Sequence, residues 1–371
     1  MAEVGWWAPG QLDAWRGIGD PLADAAVEVL GRIDQQPHME SSLGWIERLT
    51  ETAEVDRKDR KVLERFVRGV AELPPWLDWD AIERGRTFFV RYGLVHSTAL
   101  LLGGLLESYS DTQIAHVLMR TGRLHKDTYR RVFETGAMVY DIMIPDGLRL
   151  DRRGYRTVLK VRLMHAGVRR LMLRSKSWDQ SAFGVPIGQE DMAFTLLMFD
   201  IATLRGAQRL GLRISEQQRA DHHHLWRYVG YLMGVDEALL PATPGEAESL
   251  HDAITKRQRH DSHNGRALTQ GVVEALSGRA PFFLPYEGLS ALCYRLLGPE
   301  LGRHLGLQNS VPWHVLFQAG VPALRAVQRR AESSARVARS LERFAVIWGE
   351  WAIREGLGDE PARFPIPGVM R

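Results

Sequence analysis

The chain has 371 residues, 45% of them hydrophobic and 25% charged, which is enough apolar material for a large buried core. A formal net charge of +3 gives no global electrostatic support for nucleic-acid binding. One cysteine, Cys293, excludes an intrachain disulfide framework, an iron–sulfur cluster and a cysteine-built zinc site.

In chain order the sequence predicts helix after helix. Residues 1–40 read as an irregular or partly helical arm, and Met1-Ala-Glu-Val-Gly-Trp-Trp7 lacks the basic and apolar regions of a signal peptide. The longest apolar stretch, Leu94 to Leu106, contains His96, Ser97 and Thr98 and is too short to span a bilayer. A cytoplasmic protein without a membrane span is expected. After the Pro/Asp-rich turn at Trp76–Trp79, helices are predicted over 80–107, 111–121, 126–141, 152–174, 190–210, 215–233, 245–261, 264–278 and 286–297. Two more come after Pro312, near 312–318 and 321–353, before a proline-containing tail. Alternating strand patterns and hairpin turns are almost absent. The expected fold class is therefore all-α, a single large helical domain with terminal extensions. Its parts are an N-terminal arm over 1–75, a core over 76–310 and a C-terminal helical extension over 311–371.

Three constellations carry the chemistry. Val158, Val161, His165, Val168 and Met172 share one helical face. An imidazole in that apolar stripe needs a partner, because an unpaired buried polar group costs about 1–3 kcal/mol. A carbonyl, a carboxylate or a metal ion would serve. On the preceding helix Arg131, Glu134 and Thr135 stand at i, i+3 and i+4 and project from one face. In Asp221-His-His-His224 the adjacent histidines diverge by about 100° on a helix, so that run reads as structural, with His222 against Trp226 and His224 against Tyr228.

A di-iron carboxylate bundle needs two Glu-x-x-His motifs, and only Glu248-Ser-Leu-His251 qualifies. His260-Asp-Ser-His263 offers a weak surface metal site at most. Walker, Gly-x-Gly-x-x-Gly, Gly-x-Ser-x-Gly and His-Glu-x-x-His motifs do not occur, which removes support for phosphoryl transfer, hydride transfer on a nucleotide fold and serine hydrolysis.

Four runs in order are similar to the MpaB-type oxygenases, whose domain is shared with latex-clearing rubber oxygenases. They are Arg131-x-x-Glu-Thr135, Arg162-Leu-Met-His-Ala-Gly-Val-Arg169, Pro186-Ile-Gly-Gln-Glu-Asp-Met-Ala193 and His224-Leu-Trp-Arg-Tyr-Val-Gly-Tyr-Leu-Met-Gly234. The resemblance implies a globin-like helical core holding haem b, with His165 as iron ligand and Arg131 and Thr135 in the haem pocket. Arg169, one turn after His165, is then placed to reach a haem propionate. The implied partners are dioxygen and a small hydrophobic substrate of isoprenoid or unsaturated type, with oxidative cleavage of a carbon–carbon double bond or another oxygenation. A non-catalytic haem protein that binds or senses a gas, or a cofactor-free helical binding protein, is the alternative. Two departures stand out. Glu134 occupies the position where latex-clearing enzymes carry lysine, either as an acid/base near oxygen or as a partner of Arg131. The lack of an export signal puts cleavage of an extracellular polymer in doubt.

Overall fold

The computed structural model describes residues 7, 9–32, 55–120, 128–175, 178–258, 263–358, 362 and 364. Among them every regular element is helical. The N-terminal arm supplies α1 (Pro9–Arg16), α2 (Pro21–Leu30) and α3 (Arg57–Ala71). Asp20 caps α2 by accepting from the Ala23 amide, and Asp56 caps α3 through the Lys58 and Asp59 amides.

The stretch predicted as one helix over 80–107 is broken. It comprises α4 (Trp79–Arg91), α5 (Gly93–Ala99), a π-helical turn (Leu100–Gly104) and α6 (Leu105–Ser108), with an 89° bend between α4 and the Gly93–Ser108 limb. The bend sits at Tyr92, whose φ of −112° and ψ of 36° leave the helical region. Apolar periodicity continues through the bend because both limbs are buried, so the pattern alone hides it. Then come α7 (Thr112–Arg120), α8 (Thr128–Met143) and α9 (Arg153–Arg174), and after them the short α10 (Gln180–Phe183). The predicted helix over 190–210 is α11 (Gln189–Leu197), a second π-helical turn (Met198–Ala202) and α12 (Thr203–Leu210).

The two π turns pack on each other. A Cβ on Gly104 would come within 2.5 Å of the Met198 carbonyl. That same carbonyl accepts a 2.8 Å hydrogen bond from Thr203 Oγ1, which satisfies a group displaced from the regular helical ladder.

The remainder is α13 (Glu216–Met233), α14 (Pro244–Gln258), α15 (His263–Leu276), α16 (Tyr286–Leu297), α17 (Pro299–His304), α18 (Val311–Ser333) and α19 (Ala335–Leu357). The predicted break near 319–320 lies instead at Ser334, in extended backbone. Pro322 is tolerated inside α18 because the carbonyl it leaves unpaired belongs to solvent-exposed Gln318.

One large buried cluster joins the N-terminal arm to α8, α9 and α13, and a second joins α5–α6 to α12, α15 and α16. No single helix among the described residues is long and apolar enough to cross a membrane. Helix α4 packs tightly against α13: a Cβ on Gly85 would collide with the Asp221 carbonyl. Gly85→Ala is therefore expected to destabilise the fold by about 1–3 kcal/mol, measured by denaturant unfolding. An unchanged midpoint would contradict that packing.

Candidate active site on the His165 helix

α9 carries His165 on its apolar face, with Val158, Val161 and Met172 buried as the pattern predicts. The His165 ring is partly buried. Its Nδ1 is enclosed and has no hydrogen-bond partner among the described residues. Burial, followed by the Arg169 and Arg131 guanidinium charges, lowers its pKa to about 4. At neutral pH the ring is thus uncharged, the form that ligates metals. A ligating histidine commonly donates its other ring N–H to an acceptor, and no described residue supplies one to Nδ1.

α8 packs along α9 and brings Arg131 close enough for its charge to act on His165. Arg131 also acts on Tyr109, a fully buried tyrosine whose pKa is raised by burial and partly restored by that guanidinium. Tyr109 therefore belongs to the same neighbourhood, and no sequence pattern pointed to it. Thr135 Oγ1 donates back to the Arg131 carbonyl at 3.5 Å. Glu134 is buried but does not pair with Arg131: its Oε1 lies 3.5 Å from Nε of Arg130, one helical turn earlier. Arg130 in turn donates to the Leu357 carbonyl at the end of α19 at 2.6 Å. The geometry favours the ion-pair alternative for Glu134, with Arg130 as the partner.

Arg169 is 2% exposed, and its partners are protein groups. Nε donates to the Pro186 carbonyl at 3.1 Å, Nη2 to the Ile187 carbonyl at 2.6 Å, and Nη1 to Asp24 on α2. The sequence expectation of a propionate contact gives way to a clamp that fastens α9 to α2 and to the loop before α11. Arg162 does the same two turns earlier. Its Nε and Nη2 hold the Asp20 carboxylate at 2.6 and 3.0 Å, and Nη1 reaches the Leu232 carbonyl at 3.2 Å.

Glycine backs each pair. A Cβ on Gly234, whose φ of +83° already disfavours other residues, would lie 2.5 Å from both Arg162 Nε and Asp20 Oδ2. One on Gly19 would lie 2.8 Å from Arg169 Cδ and Asp24 Oδ2.

The Gln189-Glu-Asp191 run works as a polar knot. Gln189 Nε2 donates to the Gly19 and Gly234 carbonyls at 2.9 and 3.0 Å, and its Oε1 accepts from the Asp236 amide at 2.8 Å. Asp191 caps α11 through the Gly188 amide at 3.0 Å and accepts from Gln113 at 2.7 Å. Burial, with the charge of Asp111, holds its carboxyl well above the usual range.

The histidine run is structural in detail. His222 stacks on Phe89 with rings 9° apart and meets Trp226 at 6.3 Å. The ring of His223 bonds to Asp200 and the Pro241 carbonyl. His224 meets Trp76 edge-on and accepts from the Asp78 amide. His251 is bonded to Glu107 and Asp252. The His260-Asp-Ser-His263 reading falls mostly outside the described residues. Among the described residues no cluster of three or more His, Cys, Asp or Glu side chains could hold a metal ion.

A family model described as "ER-bound oxygenase mpaB/B'/Rubber oxygenase, catalytic domain" matches residues 90–326. The chain belongs to that oxygenase family. It is 27% identical over 268 residues to the rubber oxygenase of Streptomyces sp. (strain K30), an overlap of 71% of this chain and 64% of that protein. The match thus spans less than two thirds of the relative's length. The solved structure of latex clearing protein in its closed state superposes with a TM-score of 0.69 at 20% identity, over 90% of this chain and 91% of that one, which establishes a shared fold.

The clamp and the buried ring each have a measurable consequence. Asp20→Ala leaves Arg162 charged, buried and unpaired, and is expected to cost about 3–5 kcal/mol in denaturant unfolding; a loss near zero would contradict the clamp. His165 has a folded pKa below its unfolded value, so its stabilising contribution is complete above about pH 6.5 and is lost as pH falls toward 4. Replacing His165 with Leu should flatten the acid limb of a stability–pH curve across that window, and an unaltered curve would contradict the burial of a neutral ring.

Proposed function

We propose that this chain is a haem b-dependent oxygenase that uses dioxygen on a small hydrophobic, unsaturated molecule of isoprenoid type, with cleavage of a carbon–carbon double bond as the favoured outcome. The single observation that carries the reading is His165. It is a neutral imidazole on the apolar face of α9, with an enclosed nitrogen that no described residue satisfies. Membership of the oxygenase family supports the same chemistry.

In this proposal His165 ligates the iron. Bound haem would supply the activation of dioxygen. Arg131, whose charge already reaches His165, provides positive potential for a carboxylate of the cofactor; Thr135 stands one turn on from it, and Tyr109 is near enough to feel the same charge. Arg162 and Arg169 act as positioning residues: they fix the rotation and height of α9 against α2, and therefore the direction of the imidazole. Glu134, held by Arg130, steadies the α8 turn that presents Arg131 and Thr135.

The test is product analysis after incubation of haem-loaded protein with an acyclic isoprenoid alkene under 18O-labelled dioxygen. Labelled carbonyl fragments are expected, absent under anaerobic conditions and absent with His165→Ala. Unlabelled products, or turnover that survives without oxygen, would contradict the proposal. Glu134→Gln is expected to keep product formation within about threefold, since it changes a charge that Arg130 already screens. A loss of about a hundredfold would restore Glu134 as the acid/base.

A further inference from the structure

A cavity of about 550 Å³ lies on the other side of α8 from its contact with α9. This is within the size range of small-molecule pockets. Phe133, Gly136, Val139, Tyr140 and Met143 of α8 line one wall, the i, i+3, i+4, i+7 face of a helix. Residues of α4, α5, the Leu100–Gly104 turn and α19 form the others, with Ile144, Pro145 and Pro281. None of Arg131, Glu134, Thr135 and His165 contributes to it.

Three observations point to a ligand. First, the lining is mostly apolar, and Val346 and Ile347 line it while being 38% and 65% exposed, so the cavity reaches the surface through a hydrophobic edge. Second, Gly136 sits inside α8, where glycine costs about 1 kcal/mol relative to alanine, and a Cβ there would meet nothing within 4 Å. The glycine is not demanded by a close protein neighbour, and its effect is to keep the wall open. Third, Arg339 and Arg343, one turn apart on α19, line the cavity and are exposed. Neither has an ion-pair or hydrogen-bond partner among the described residues, whereas Arg86 at the same cavity is held by Glu83 and Arg91 beside it by Glu342. Two uncommitted guanidinium groups at the edge of an apolar chamber complement one anionic headgroup followed by a hydrocarbon tail.

We propose that this cavity binds a single-chain amphiphile with an anionic headgroup, a carboxylate or a phosphate monoester. Arg339 and Arg343 hold the head, and the tail runs between α8 and α19 past Gly136. The site is separate from the His165 neighbourhood, and its occupancy does not depend on haem.

The test uses the full-length chain and cis-parinaric acid, whose polyene accepts excitation energy from Trp348 in the cavity wall. Saturable energy transfer is expected. Oleate and oleyl phosphate should displace the probe, with oleyl alcohol weaker by about tenfold or more, and the better of the two anions names the headgroup. Gly136→Leu should abolish binding while its melting temperature is unchanged or raised. The exposed double variant Arg339→Gln/Arg343→Gln should weaken the two anions by about tenfold and leave the alcohol unchanged. The absence of saturable transfer would overturn the proposal. So would equal displacement by alcohol and acid, or undiminished binding in a folded Gly136→Leu protein.

Discussion

Two arginine–aspartate pairs, one buried and one partly buried, set the geometry on which the rest depends. Arg162 with Asp20 and Arg169 with Asp24 tie the middle of α9 to α2. A buried ion pair adds little net stability, because desolvation offsets most of the attraction, but losing one partner is expensive. Its physical effect is specificity: the bidentate contact of Arg162 with Asp20 tolerates little rotation. His165 lies between the two arginines on the same helix, so the direction of its ring is fixed by contacts made on either side of it along the helix. The N-terminal arm is therefore a structural component of the His165 site, even though it contributes no reactive group.

The positively charged neighbours also set the chemistry of that ring. Burial is the largest influence, and the Arg169 and Arg131 charges add to it. An arginine charge that is already satisfied by protein, as Arg169 is, still acts through space in a low-dielectric interior. The same residue thus holds the helix in place and adds to the burial that keeps the imidazole neutral. The packed π turns at Leu100–Gly104 and Met198–Ala202 form a second close backbone contact. There Gly104 and Thr203 allow two irregular backbones to meet without an orphaned carbonyl.

Much of the helical order was legible from apolar periodicity, since most of the helices present one buried face. The 89° bend at Tyr92 was not, because both limbs are buried and the pattern runs through it. The break expected near 319–320 lies at Ser334, because an exposed helix loses little to Pro322. His165 stood out because an imidazole among valines has few explanations. Arg162 and Arg169 did not reveal their roles: their partners, Asp20 and Asp24, lie more than a hundred residues away in a segment that read as an arm. Glu134 found Arg130 at i−4 where the sequence offered Arg131 at i−3, a choice between two favourable spacings that rotamers and the end of α19 decide.

The proposal that His165 ligates iron rests on its place on α9, between Arg162 and Arg169. The decisive measurement is the visible spectrum of the purified protein after haem addition, compared between wild type and His165→Ala at matched fold stability. A Soret band is predicted in the wild type with one equivalent of haem bound, and loss of that band in the variant. A Soret band of equal intensity and position in both, or no haem uptake by the folded wild type, would contradict the assignment of His165 to iron.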